Sequence, residues 1–175
     1  GLMTAAIRDN NPVVYLHHYL LTLDKGEVPD GDYIVPFGVA DVKLSGGDVT
    51  IVATGWMVKL SLAAAERLAQ EGISAEVIDP RTLAPLDVET ILKSVKKTGR
   101  LVLVDQAPRH ASAAAIIGGE VAERGFEHLK APVRMVTALD TSIPYSEPLE
   151  KYVLPTEEKI VNAVRSILVR HAVAV

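Results

Sequence analysis

Between Val49 and Thr137 short apolar runs alternate with segments of helical period, a rhythm that restricts the chain to a layered α/β fold. Val49 to Thr54 and Leu101 to Val104 are β-branched or aliphatic throughout, and Ala75 to Asp79 carries the β-branched pair Val77-Ile78, as strands covered on both faces do. A helix opens at Gly55 and places Val58, Leu62, Ala65 and Ala69 on one face before Gly72 stops it. A second helix follows Asp87, with Val88, Ile91, Leu92 and Val95 on one stripe and Lys96-Lys97 at its negative end. A third, Ala111 to Arg124, turns Ala114, Ile117 and Val121 inward. The strand Val133 to Thr137 comes next. The last helix is capped by Thr156 and carries Ile160, Val161, Val164, Ile167 and Leu168. Such βαβ units predict a mostly parallel sheet with right-handed crossovers and helices on both faces.

The turn after the second apolar strand is the most structured short stretch. Pro80 ends the strand because it cannot donate to a ladder, Pro85 fixes a second backbone angle, and Asp87 is placed to cap the helix that follows. The charged turn Asp79 to Thr82 therefore stands at the carboxyl end of a central strand, where ligands and partners usually meet open α/β sheets. The plainer reading is that Asp79 and Arg81 only tie the turn together.

Ahead of this rhythm lies a different segment. Gly1 to Asp9 has helical spacing at Met3, Ala6 and Ile7, and Asn10-Asn11-Pro12 breaks it. Val13 to Leu16 reads as a buried strand, and Asp41 to Leu44 as a short edge strand closed by Ser45-Gly46-Gly47. From Tyr19 to Gly47 there is no helical period, only turn chemistry such as Pro29-Asp30-Gly31-Asp32. So long a connection in a compact domain is usually functional or an interface. The expected organisation is one domain over 1–175, with an interface arm over 1–47 and an α/β core over 48–175.

Several classes of function are disfavoured. Net charge is −4 with the two signs mixed, so no basic face offers itself to nucleic acid. There is no cysteine, hence no disulfide, thiolate nucleophile or cysteine-bound metal. No apolar run reaches the roughly twenty residues that span a bilayer, and Gly1-Leu2-Met3-Thr4 lacks a signal layout. A cytoplasmic protein that meets neither membrane nor nucleic acid is expected.

Chemical motifs are sparse. Thr54-Gly55-Trp56-Met57 has one glycine where a dinucleotide fingerprint needs three, and neither a Walker loop nor a G-x-S-x-G elbow is present. A helix start at Gly55 could still receive an anion. The histidines, His17, His18, His110, His128 and His171, fit no metal pattern. His17 and His18 alternate to opposite faces and read as structural or interface residues. Arg109 and His110, beyond the most apolar strand, rise at the same edge as Asp79 and Arg81. A histidine held there could move protons near neutral pH, or simply be a solvated loop residue. Tyr145, Glu147, Glu150 and Tyr152 form a proline-framed acidic and aromatic cluster suited to docking, or an exposed loop over the sheet edge.

Four segments together carry a resemblance: Ala6 to Val14, Asp48 to Ala53, Ile73 to Asp87 and Ile143 to Glu150. In this order they resemble the C-terminal half of the beta subunit of thiamine-diphosphate-dependent 2-oxo acid dehydrogenases, the pyruvate, branched-chain and acetoin enzymes among them. Lys25 to Tyr33 and Pro108-Arg109 lean towards the acetoin-type or branched-chain-type members. The resemblance implies a transketolase C-terminal-like domain, a three-layer α/β/α fold with a mostly parallel five-stranded sheet and one antiparallel strand. It implies that the pyrimidine-binding domain and the cofactor-activating glutamate precede Gly1. It also implies that the diphosphate and its magnesium are held by the alpha subunit, so the chain alone would bind no thiamine diphosphate and turn over no substrate. The domain would build a heterotetramer with the alpha subunit and a second beta subunit, and dock the binding domain of the acyltransferase component. The opening at Gly1, inside a helical turn and without a start methionine, suits a cut between domains. Two positions depart from the pattern: His17 stands where relatives commonly carry an acid, and His110 to Ala115 replaces a glycine-rich loop with an acid. No catalytic, cofactor-binding or metal-binding residue is therefore assigned. The alternative reading is a self-sufficient flavodoxin-like domain holding a small anion at the Gly55, Asp79 and Pro108 edge.

Overall fold

The computed structural model describes residues 1–168, so His171 and the end of the expected core lie outside the described residues. Five strands form one sheet in the order β1-β3-β2-β4-β5: β1 (Asp41–Leu44), β2 (Val49–Ala53), β3 (Ala75–Asp79), β4 (Leu101–Pro108) and β5 (Arg134–Ala138). Only β1 runs antiparallel, against β3. Parallel strands buried on both faces need apolar residues at every position, and β2 has no exposed residue. Its alternation decides which layer each residue feeds. Val49, Ile51 and Ala53 face α2 (Trp56–Gln70) and α6 (Glu157–Leu168). Val52, with Ile78, Leu101 and Leu103, packs against α3 (Val88–Thr98) and α4 (Ala113–Arg124).

The caps follow from short polar side chains. Asp87 accepts the Thr90 N–H at 3.0 Å and opens α3, and Gly99 closes it in the left-handed region at φ 73. Thr156 accepts the Lys159 N–H at 3.3 Å at the start of α6. Thr50, the one polar residue of β2, is matched by Ser94 and Thr98 of α3, both at 2.7 Å. Ser94 donates in turn to Glu76, which Lys97 also reaches.

Four expectations change. Val13 to Leu16 is extended but pairs with no strand among the described residues, and exposure alternates 38, 84, 40 and 84% along it. Its β-branched side chains favour extended backbone, but the segment lies across the carboxyl ends of β2, β3 and β4 and not alongside either edge strand, β1 or β5. The expected face of α2 holds at Val58 and Ala65, which are buried, but the buried face is broader, taking in Met57, Ser61, Ala64 and Leu68, and Ala69 is exposed. Strand β4 runs on to Pro108, because β5 pairs with it as far as Pro108 and Ala138 across an irregularity. The stretch Glu147–Val153, expected as loop, is a short helix, α5. A further short helix, α1 (Leu2–Arg8), and a 3-10 turn, Tyr19–Leu23, lie in the arm.

Candidate functional site

The carboxyl ends of β2, β3 and β4 bring together three loops that are distant in sequence, and the extended arm lies across them. Between arm and edge is a cavity of about 850 Å³. Asn11 to His18 form one wall. Thr54 to Trp56, Asp79 to Pro85, Asp105 and Gln106 form the other.

Asp105 organises the floor. The residue is 9% exposed, and its carboxylate accepts from the Thr54 hydroxyl at 3.0 Å, the Ser112 hydroxyl at 2.8 Å and the Ala113 N–H at 2.8 Å. It joins β2 to the start of α4, and its lone pairs are spent on structure. Next to it, Gln106 Oε1 meets His18 Nε2 at 2.8 Å. An amide oxygen only accepts, so the proton sits on Nε2, and Nδ1 is left to accept the Leu20 N–H at 3.3 Å. The His18 ring stacks on Trp56, the chain's only tryptophan, with centroids 5.9 Å apart.

The β3 turn is equally committed. Arg81 adopts φ 58, a left-handed conformation rare outside glycine, and its N–H donates to Asp79 Oδ1 at 2.9 Å. Its guanidinium reaches Asp41 at 2.7 Å, where Lys43 also binds. The Lys43 hydrogen bond, with Arg81 beside it, holds Asp41 below the ordinary carboxylate range. Burial pushes Asp79 up. Thr82 donates to the Pro85 carbonyl at 2.7 Å and accepts the Gly38 N–H at 2.9 Å, while Asp87 accepts the Ala40 N–H at 2.9 Å. The turn is thus a fixture that positions residues 38–41.

The other expected residues lie apart. His110 lines a separate groove of about 360 Å³ with Leu83, Leu86 and Ile116, and its Nδ1 is 3.3 Å from Asp140. Both partners are mostly exposed. Arg109 is exposed and lines neither space. Tyr145, Glu147, Glu150 and Tyr152 are exposed together on and before α5. Glu147 pairs with Lys151 at 2.7 Å within the helix, and that bond lowers its pKa. The helix could have been read from Ser146-Glu147-Pro148, a cap residue followed by proline in the first turn. The parts played by Asp105 and Trp56 have no comparable local signal.

The cavity's lining carries Asp9, Asp79 and Asp105 against the single cation Arg81, which is already paired. A diphosphate would meet net negative charge there. Among the described residues no group of three or more His, Asp or Glu could hold a metal ion. Two of the first amides of α2 are also engaged, Met57 with the Thr54 carbonyl and Val58 with that of Gly55. These residues do not fit a diphosphate with its magnesium. No described helix is long and apolar enough to cross a membrane.

Comparison with known proteins gives a consistent picture. The chain is 45% identical over 96% of its length to the beta subunit of acetoin:2,6-dichlorophenolindophenol oxidoreductase from Bacillus subtilis (strain 168), of which it covers 49%. It is 46% identical over 96% of its length to the protein of the same name from Cupriavidus necator, covering 50% of it. It is 44% identical over 96% to the pyruvate dehydrogenase E1 component subunit beta of Bacillus subtilis (strain 168), covering 52%. The chain therefore spans about half the length of the curated relatives it matches. Among solved structures, a split-gene transketolase, an inactive beta4 tetramer, superposes with a TM-score of 0.69 at 31% identity. That match covers 82% of this chain and 45% of the other. The family model for the transketolase C-terminal domain matches residues 38–160, from the residue that Thr82 anchors to the first core contact of α6. With the five-stranded mixed sheet and its helical layers, this match establishes that the chain belongs to the transketolase C-terminal domain family.

Proposed function

We propose that the chain is the assembly and docking unit of the beta subunit of a thiamine-diphosphate-dependent 2-oxo acid or acetoin dehydrogenase. The observation that carries the proposal is the arm. Val14, Leu16, Tyr19 and Leu23 are each at least 69% exposed, on backbone that lies along the core without joining its sheet. A run of large apolar side chains on a fixed extended segment marks an interaction surface. The names of the relatives, all beta subunits, support other subunits as its partners.

In this reading the arm contacts the alpha subunit and a second beta subunit, completing a heterotetramer. Thiamine diphosphate and magnesium are held elsewhere in that assembly, in keeping with the acidic, already-paired lining of the cavity here. The cofactor supplies carbanion chemistry where it binds; this chain contributes shape. Asp79 and Arg81 act as interface fixtures that set residues 38–41, and Arg109 and His110, exposed apart from them, are available to a separate contact. Tyr145, Glu147, Glu150 and Tyr152 are the docking face for the acyltransferase component's binding domain. The assembly is assigned to the cytoplasm.

The test is activity of the intact beta subunit combined with its cognate alpha subunit. Dye reduction that requires thiamine diphosphate, with acetoin, pyruvate or a branched-chain 2-oxo acid as donor, is the expected result. No cofactor-dependent turnover with any of these donors, in a complex proven to assemble, would overturn the assignment.

A further inference from the structure

Both ends of the arm's 3-10 turn are fastened to the first turn of α2. At the entry His18 caps the turn through Nδ1 and stacks on Trp56 with an interplanar angle of 20°. At the exit Asp24 pairs with Lys59, and the same Lys59 ammonium stands 5.0 Å above the Trp56 ring. The indole is therefore engaged twice, by a stacked imidazole and by a cation. Gly55 supplies the backbone turn that opens α2 beneath the arm: its φ is 54 and its ψ −127, a conformation L side chains rarely adopt, while a Cβ there would only touch His18 Cβ, at 3.9 Å. Between these anchors Tyr19 and Leu23 point outward, 74 and 69% exposed. Trp56 is itself half-buried against the core, but the residues that join it to the arm, His18, Asp24 and Lys59, belong to neither core cluster. What they fix is the direction in which the turn presents its apolar residues.

We propose that His18, Trp56, Lys59 and Asp24 form a clasp that pre-sets the arm for subunit assembly, with Trp56 as the positioning residue. The inference rests on the assignment of the arm to assembly. An arm without the clasp would keep its contact residues and would have to be ordered at the moment of binding. That cost appears as weaker association, with the partner surface unchanged.

The experiment uses the intact beta subunit and its cognate alpha subunit. Trp56→Ala, and separately the surface pair Lys59→Met with Asp24→Asn, are compared with wild type by sedimentation over a dilution series. Amide exchange across Leu20 to Asp24 and the melting temperature are measured alongside. The expected result is faster exchange in the turn and an assembly midpoint moved up by about tenfold in concentration, as lost pre-organisation gives. Trp56→Phe should restore most of it, and the surface pair should melt like wild type. Leu23→Asp, which keeps the clasp, is the control on the underlying reading. If Leu23→Asp dissociates the complex and both clasp variants do not, the clasp is overturned and the arm's role stands. If none of the variants affects assembly, both fall. Unchanged exchange in the turn would also overturn the clasp.

Discussion

Single residues at the sheet edge do two jobs at once, and Asp87 is the clearest. One oxygen opens α3 through Thr90 and the other holds the Ala40 N–H. Burial pushes this carboxyl up, but the Ala40 and Thr90 bonds outweigh it and leave Asp87 below its ordinary range. Asp87→Ala should cost about 1–2 kcal/mol, the upper part of the range for a lost cap, in urea unfolding. A loss below a few tenths would mean that the cap is dispensable. Glu76 gives a pH test. Burial raises it, and Lys97, Ser94 and the Gly46 N–H together bring it lower than an ordinary glutamate. An acid whose folded pKa is depressed stabilises the fold fully above its unfolded value, near 4.3, and loses that stability as pH falls through the folded one. Lys97→Met should therefore lower stability at pH 7 by about 1–3 kcal/mol, the range for stranding a buried polar group, and weaken its pH dependence below 5. An unchanged acid limb would contradict this.

At the scale of elements, legibility followed the physics of burial. The strands β2, β3 and β4 were readable because each is covered on both faces, and nothing polar enters β2 except Thr50. Their central place predicts that Leu103→Ala, at a fully buried site, costs roughly 2–5 kcal/mol; a change under half a kcal/mol would contradict it. The face of α2 was legible at Val58 and Ala65 and incomplete elsewhere, because alanines and Ser61 line it, and small residues carry little hydrophobic signal. Val13 to Leu16 has the composition of a strand, but pairing is a tertiary fact that composition does not contain. The site was legible in part for the same reason. Asp79, Arg81 and Asp87 sit within one local motif, whereas the His18–Gln106 bond joins positions 88 residues apart. Helix α5 shows the limit on the other side, since its acids were visible and their pairing was not: Glu147 is already bonded to Lys151. Docking of the acyltransferase binding domain to the assembled complex tests this face. Glu147→Lys with Glu150→Lys should slow association and flatten its salt dependence, as removal of steering charges does. Unchanged kinetics at low and moderate salt, with the complex intact, would move docking elsewhere.

At the scale of the whole molecule, chemistry and architecture part company. The edge of the sheet where α/β folds usually bind ligands is here fastened by its own arm, its carboxylates spent on turns and a helix start and its one lining cation on Asp41. Calorimetric titration of the 175-residue chain with thiamine diphosphate and magnesium should give only heats of dilution. Micromolar stoichiometric binding would contradict that expectation. What the molecule offers outward is apolar surface on a fixed arm, and the account stands on that surface being an interface between subunits. Sedimentation of the intact beta subunit with its alpha partner, carrying Val14→Asp and Leu16→Asp, tests this directly. Both side chains are 84% exposed, so the chain itself should fold and melt as wild type does. The account predicts that the complex dissociates into its parts at concentrations where the wild type is fully assembled; a double variant that sediments as the intact complex across the same range would contradict it.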